Sequence, residues 1–279
     1  MDLTPKQLED FRRDGFLVIE GFAGPRDCDA LIARAEELVA AFDPTEVSIF
    51  STTDQEHLTD QYFLESGGKI RFFFEEDAFD GDGQLRQTKA LSINKIGHAL
   101  HDLDPVFEKF SRAPALAAIV DQLGVAEPLL LQSMYIFKQP RIGGEVVYHQ
   151  DSTFLYTEPM SVIGLWFALE DATLDNGCLW ALPGGHTDGI KSRFVRTASG
   201  SVETIVMDAS GWAGDGFVPF EVPKGTLVVL HGSLPHGSKP NRSSASRHAY
   251  TLHVIDGACD YPDDNWLQRG PNMPPRGLR

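Results

Sequence analysis

Hydrophobic and polar positions change rhythm near Gly124. Before it, apolar residues recur largely at the three- and four-residue spacing of amphipathic helices; after it they come in short runs broken by glycine and proline. In the first part, Thr4 can cap a helix with Pro5 at its first position and Gln7 three residues past the cap, and Gly15 can close it. Phe16 to Glu20 reads as a strand. Gly24-Pro25 opens a second helix, on which Leu31, Ile32, Ala35, Leu38, Val39 and Phe42 share a face that can pack outside a sheet. The polar stretch 43–68 predicts mostly loop, and Ile70 to Phe74 a strand. Asp80-Gly81-Asp82-Gly83 lacks the oxygen-ligand spacing of an EF-hand and predicts a hairpin turn. Asp104-Pro105 begins another helix, and the helix from Ala115 to Leu123 ends in Gly124.

Beyond Gly124, seven runs have strand length with no helical pattern between them: Leu129 to Lys138, Val146 to Asp151, Val162 to Leu169, Cys178 to Leu182, Phe217 to Val222, Thr226 to Leu230 and Arg247 to Ile255. Dense short strands separated by turn residues predict antiparallel sheets. The expected fold is therefore mainly β with flanking α-helices, a double-stranded β-helix of the jelly-roll, cupin-like barrel type. A chain of 279 residues can bury one full core, so a single domain is expected over 1–279. Residues 1–124 would form a helical and strand elaboration packed on a jelly-roll core at 125–260.

The net charge of −16 argues against nucleic acid or an anionic membrane surface as a partner, because phosphate is bound through excess Lys and Arg. Cys28, Cys178 and Cys259 are too far apart for a disulfide framework or a zinc site, which fits a reducing compartment. Neither a signal peptide at Met1 to Lys6, nor a long apolar run, nor a peroxisomal Ser-Lys-Leu ending is present. A cytoplasmic monomer acting on a small molecule is the expectation.

Candidate chemistry is concentrated in Val146-Val147-Tyr148-His149-Gln150-Asp151. In an extended strand His149 and Asp151 project to one face while Gln150 faces away. An imidazole and a carboxylate so placed are half of the two-His-one-carboxylate site of non-haem Fe(II) oxygenases. The missing histidine must return on a later strand, and both His231 and His236 qualify, each followed by Gly-Ser. Arg247 lies on the next strand, and its guanidinium fork suits a carboxylate. Lys95 alternates with apolar neighbours and reads as a solvated lysine; His98 and His101 read as residues that cap or line their segment without chemistry. Lys191, Arg193 and Arg196 form a local basic cluster, either a solvated surface strand or loop or a holder for an acidic substrate group.

His149-Gln150-Asp151, the run Asn176 to His186, the run His236-Gly237-Ser238-Lys239-Pro240-Asn241 and Arg247 eleven residues after His236 together resemble the phytanoyl-CoA dioxygenase family. Asp10 to Ile19 and Ser92 to His98 extend the resemblance over nearly the whole chain. It implies His149, Asp151 and His236 as Fe(II) ligands at the catalytic centre, and Arg247 on the distal carboxylate of the cosubstrate 2-oxoglutarate. Lys95, Met134 and Trp166 would line the cosubstrate pocket, and His186 would stabilise a turn. The implied reaction uses O2, hydroxylates a small-molecule or acyl prime substrate, and releases succinate and CO2. Asp151 stands where related halogenases have glycine or alanine, which implies hydroxylation or a hydroxylation-triggered dealkylation. Gly185 in place of a usual serine and Thr226 in place of a common aspartate are departures that touch no proposed ligand. Two other readings of the same residues are a cupin-like metalloenzyme of non-oxidative chemistry and a metal- or 2-oxoglutarate-binding sensor that has lost turnover.

Overall fold

The Thr4 hydroxyl accepts a hydrogen bond from the Gln7 amide, and the Gln7 side chain accepts from the Thr4 amide. This reciprocal cap starts helix α1 (Pro5–Asp14), and Gly15, at φ 81°, ends it in the left-handed region that the chain needs to turn into strand β1 (Phe16–Ile19). Helix α2 (Pro25–Ala41) buries Cys28, Leu31, Ala35 and Val39, the face its periodicity predicts. This computed structural model describes residues 1–44, 47–52, 61–212 and 214–278.

Stretch 43–68, expected to be mostly loop, holds strand β2 (Ile49–Phe50) and the helical turn α3 (Gln61–Leu64); its residues 45–46 and 53–60 lie outside the described residues. β2 exists because it pairs in parallel with β3 (Ile70–Glu75), a tertiary contact that no local pattern announces. The Asp80 turn is a hairpin, with the Asp80 carboxylate accepting from the Asp82 and Gln84 amides. Strand β4 (Ile93–His98) follows, then three short helices: α4 (Leu100–Leu103), α5 (Pro105–Ser111), capped by the Asp104 carboxylate, and α6 (Pro114–Gln122).

The second half supplies β5 (Pro128–Ile136), β6 (Val146–His149), the helical turn α7 (Asp151–Phe154), β7 (Ile163–Ala168) and β8 (Leu179–Ala181). It continues with β9 (Ser192–Arg196), β10 (Val202–Val206), β11 (Val218–Phe220), β12 (Leu227–His231), β13 (His236–Ser238), β14 (Ala249–Asp256) and β15 (Arg276–Gly277). Among the described residues a nine-stranded sheet runs β1-β12-β7-β14-β5-β4-β3-β2, with β15 on β5; a four-stranded sheet runs β11-β8-β13-β6; β9 and β10 form a hairpin. All these pairings are antiparallel except β2 with β3. This is the jelly-roll fold, held as two sheets rather than a closed barrel.

The larger sheet is buried on both faces, which is why β7 reads as an unbroken apolar run. One face packs on the helices, with Leu31, Val39, Phe107, Tyr135, Phe167 and Val229 in that core. Each such side chain contributes roughly 1.5–3 kcal/mol by leaving water. The opposite face, with Trp166 and Leu230, meets the smaller sheet around a cavity of about 320 Å³. Among the described residues no helix is long and apolar enough to cross a membrane.

Candidate metal centre and its cavity

His149 is the last residue of β6, and Asp151 opens α7, so the two do not alternate along one strand as their spacing predicts. Gln150 makes the corner. It is fully buried and faces away, its amide donating to the Gly189 and Ser233 carbonyls and its carbonyl accepting from the Lys191 amide. These bonds lock the direction in which Asp151 leaves the strand.

His236, on β13, stands in register opposite His149, with ring centroids 4.4 Å apart. Asp151 Oδ1 lies 3.8 Å from His149 Nε2 and 3.6 Å from His236 Nε2, and one ligand atom from each residue lies within 4.8 Å of the others. Both rings are oriented by backbone. His149 Nδ1 donates to the Val147 carbonyl and His236 Nδ1 to the Leu234 carbonyl, each at 2.9 Å. A neutral imidazole with its proton on Nδ1 offers a lone pair at Nε2, the state a metal ligand requires. Burial and the neighbouring His236 push His149 down to about 4, so it is neutral at physiological pH. Burial opposes the Asp151 charge, but His253 and His236 outweigh it and hold the carboxyl below the usual carboxylate range. Asp151 Oδ2 is buried with no hydrogen-bond partner among the described residues. Two bare imidazole nitrogens and an ionised carboxylate with an orphaned oxygen fit a divalent transition metal.

Of the two downstream histidines, the one brought to this group is His236. His231 ends β12 beside α1, its ring 4.9 Å from that of His186 and its Nδ1 accepting from the Ser233 amide. His186 donates from Nε2 to the Arg12 carbonyl and ties its turn to the end of α1.

The third imidazole at the centre is one that the spacing did not single out. His253 Nε2 lies 3.3 Å from Asp151 Oδ1, nearer than either candidate ligand. Arg247, Ala249, Thr251 and His253 alternate along one face into β14, so counting in twos from Arg247 finds it. Gly164, opposite His253 on β7, was missed too; a Cβ there would sit 2.8 Å from Asp151 Oδ2.

Arg247 lines the same cavity and is 1% exposed. Its Nε donates to the Gly177 carbonyl, its guanidinium lies 5.4 Å from the Trp166 ring centroid, and its Nη1 has no partner among the described residues. Burial draws its pKa down to about 10, still fully charged at neutral pH. Met134 and Trp166 line the cavity as well. Lys95 is not solvated: it is 4% exposed, with Nζ 3.2 Å from the Phe50 ring centroid and 3.9 Å from Met134 Sδ. The face that alternates away from its apolar neighbours meets the cavity instead of water. Burial pushes Lys95 well below the usual lysine range.

The basic cluster is spoken for by protein groups. Lys191 pairs with Asp208, Arg193 with Asp264 at 2.5 Å, and Arg196 donates to the Trp266 and Leu64 carbonyls. This segment is the paired strand β9, which turns Phe194 into the cavity wall. His101 is structural, its Nδ1 hydrogen-bonded to Ser133 Oγ, whereas His98 lines the cavity.

Residues 11–249 match the family model described as phytanoyl-CoA dioxygenase (PhyH). The chain is 51% identical over 268 residues to a phytanoyl-CoA dioxygenase of Arabidopsis thaliana, covering 96% of this chain and 94% of that one. It is 49% identical to phytanoyl-CoA dioxygenase domain-containing protein 1 of Bos taurus, covering 98% and 97%. Among solved structures it resembles EctD from S. alaskensis with 2-oxoglutarate and 5-hydroxyectoine, at TM-score 0.67 and 20% identity over 99% of this chain and 86% of that one. The non-heme alpha ketoglutarate dependent carbocyclase SnoK gives TM-score 0.66 at 17% identity, covering 98% and 96%. The chain belongs to the phytanoyl-CoA dioxygenase family.

Proposed function

We propose that this protein is a non-haem Fe(II)- and 2-oxoglutarate-dependent dioxygenase that hydroxylates a small-molecule or acyl prime substrate and releases succinate and CO2. One observation carries the reading: a His149, Asp151 and His236 group with both Nε2 atoms bare shares a cavity with the Arg247 guanidinium, whose Nη1 has no partner among the described residues. His149, Asp151 and His236 would hold the ion, and three protein ligands on one face leave three positions for small molecules. Bound there, Fe(II) supplies the redox chemistry that couples oxidative decarboxylation of 2-oxoglutarate by O2 to hydroxylation.

The chain's own residues do the rest. Arg247 offers Nη1 to the distal carboxylate of 2-oxoglutarate, and desolvation strengthens that contact. Lys95 brings a buried amine to the cosubstrate, beside Met134, while Trp166 walls it off from water. A cupin-like site for non-oxidative chemistry has no use for a buried arginine aimed into its cavity. Asp151 occupies the place a halide would need, which supports hydroxylation over halogenation. Two structural relatives, EctD with 2-oxoglutarate and the alpha ketoglutarate dependent carbocyclase SnoK, are in keeping with the reading. We further propose one catalytic domain over 1–279, acting as a cytosolic monomer without nucleic-acid or membrane partners; the charge of −16 supports the last part.

Protein supplied with Fe(II) and 2-oxoglutarate under air should release succinate, and Asp151→Ala should not. Wild type that binds 2-oxoglutarate but releases no succinate with any member of a metabolite extract would point to a sensor. Without oxygen, Fe(II) and 2-oxoglutarate should give a weak visible charge-transfer band; the same band at unaltered affinity in Arg247→Ala would remove Arg247 from its role.

A further inference from the structure

The cavity lining carries two polar atoms that neither the candidate metal ligands nor the residues assigned to the cosubstrate use. His98, 0% exposed, has its Nδ1 2.6 Å from Ser66 Oγ, and Ser66 Oγ lies 2.5 Å from the Phe63 carbonyl oxygen. A carbonyl can only accept, so the single hydroxyl proton of Ser66 points to Phe63. Ser66 Oγ must therefore accept from His98, which fixes the His98 proton on Nδ1 and leaves a lone pair on Nε2. That Nε2 is buried without a partner among the described residues, and His98 lines the cavity. Burial, with Lys95 and His253 nearby, keeps the ring well below the ordinary histidine range and uncharged.

Trp266 supplies the complement. It is 2% exposed, stacks on Phe63 at 4.5 Å, and meets His98 edge-on with ring centroids 5.4 Å apart. Its indole Nε1–H, a donor only, is also buried without a partner among the described residues. Phe63 packs against both rings, and Leu155 and Phe194 of the same apolar cluster also line the cavity.

We propose that His98 Nε2 and Trp266 Nε1–H form a subsite for one hydroxyl group, and that the prime substrate is an alcohol with a compact apolar body; the word substrate rests on the oxygenase reading above. A hydroxyl donates to the first atom and accepts from the second. A carboxylate would set its charge against the His98 lone pair. A hydrocarbon would leave both atoms unsatisfied, at a cost of about tenfold in affinity for each. Hydroxylation would then act on the carbon skeleton of a molecule already held by its own hydroxyl.

Cyclohexanol and fluorocyclohexane, rings of similar size that differ in the donor, test this on the full chain without metal or 2-oxoglutarate. With histidine nitrogens isotopically labelled, NMR should find His98 protonated on Nδ1. Its bare Nε2 resonance should shift on titration with cyclohexanol and not with fluorocyclohexane, and cyclohexanol should bind about tenfold tighter. His98→Phe and Trp266→Phe keep a ring in place; the first should remove most of that preference, and the second should reduce it by weakening cyclohexanol binding. Equal affinity for the two rings in wild type, an unmoved Nε2 resonance, no binding of cyclohexanol, or a preference that survives both substitutions overturns the proposal. The wild-type comparison stands even if a variant fails to fold. Since neither iron nor oxygen is present, failure here is distinct from failure to release succinate.

Discussion

Gly164 and Asp151 cannot both keep their places if the glycine gains a side chain: a Cβ on Gly164 would lie 2.8 Å from Asp151 Oδ2. β7 passes beneath the candidate centre with Gly164 in register between His253 on β14 and Leu230 on β12, so the backbone has no room to retreat. Gly164→Ala should displace the carboxylate and lower Mn(II) affinity by about tenfold or more, with the fold retained. Titration followed by the electron paramagnetic resonance signal of free Mn(II) measures it. Wild-type affinity in this variant would mean that the carboxylate does not bind the ion from where it stands.

His253 is a positioning residue for that same carboxylate. Its Nε2 lies 3.3 Å from Asp151 Oδ1, and among the described residues the other imidazoles within 4 Å of that oxygen are the two candidate ligands. His253→Phe keeps the ring volume and removes the donor, so Mn(II) affinity should fall roughly tenfold while thermal unfolding of the metal-free protein changes little. His253→Asn, which restores a short donor, should recover part of the loss. Equal affinity in all three proteins would leave His253 as packing alone.

The contrast between these residues shows what sequence can and cannot reveal. Helix α1 was legible because its cap, its proline and its closing glycine act within a few residues of one another. His149, Asp151 and Arg247 were legible as chemistry, since few side chains do what they do. The choice between His231 and His236 was not local, because each precedes Gly-Ser; strand register brings His236 opposite His149 and leaves His231 beside Phe11 of α1. Lys95 misled for a related reason. Alternation tells which residues share a face, but not whether that face meets solvent or a cavity, and only the second sheet decides. The bare nitrogen of His98 depends on a serine that itself depends on a carbonyl, a chain of partners no spacing encodes.

Arg247 should be costly to the fold and necessary to binding. Burial lowers its pKa to about 10, and Cys178, Glu75, Glu170, the Nε bond to the Gly177 carbonyl and the Trp166 face offset part of the lost hydration. The folded value lies below the unfolded one, so the charged form is disfavoured by folding. The penalty is fully present below pH 10 and fades as pH rises from there toward the ordinary arginine range. It is on the order of 3 kcal/mol. Arg247→Met at neutral pH should therefore raise the thermal midpoint of the metal-free protein, by about 1–3 kcal/mol in stability once the lost hydrogen bond is counted. Calorimetric titration of the metal-loaded variant should show 2-oxoglutarate bound roughly a hundredfold more weakly. A lower midpoint together with unaltered affinity would contradict both halves.

Asp102 works in the opposite sense. Its carboxylate is 2% exposed and takes Arg112 at 2.6 Å, Arg276 at 2.8 Å, His101 at 3.3 Å and Arg269. Burial alone would raise its pKa, but His101, Arg269 and Arg112 outweigh it and hold the group well below 3.8. The folded value is the lower one, so the stability it contributes is present above pH 3.8 and is lost as pH falls toward the folded value. Asp102→Asn leaves three guanidinium groups without their shared charge and should cost about 3–5 kcal/mol near pH 7. In urea unfolding the gap between wild type and variant should narrow below about pH 4. A constant gap would assign the loss to shape instead of charge. Because Arg269 also donates to the Leu131 carbonyl and follows Trp266 closely in the chain, the same variant should loosen the cavity wall at Trp266 and blunt the preference for cyclohexanol.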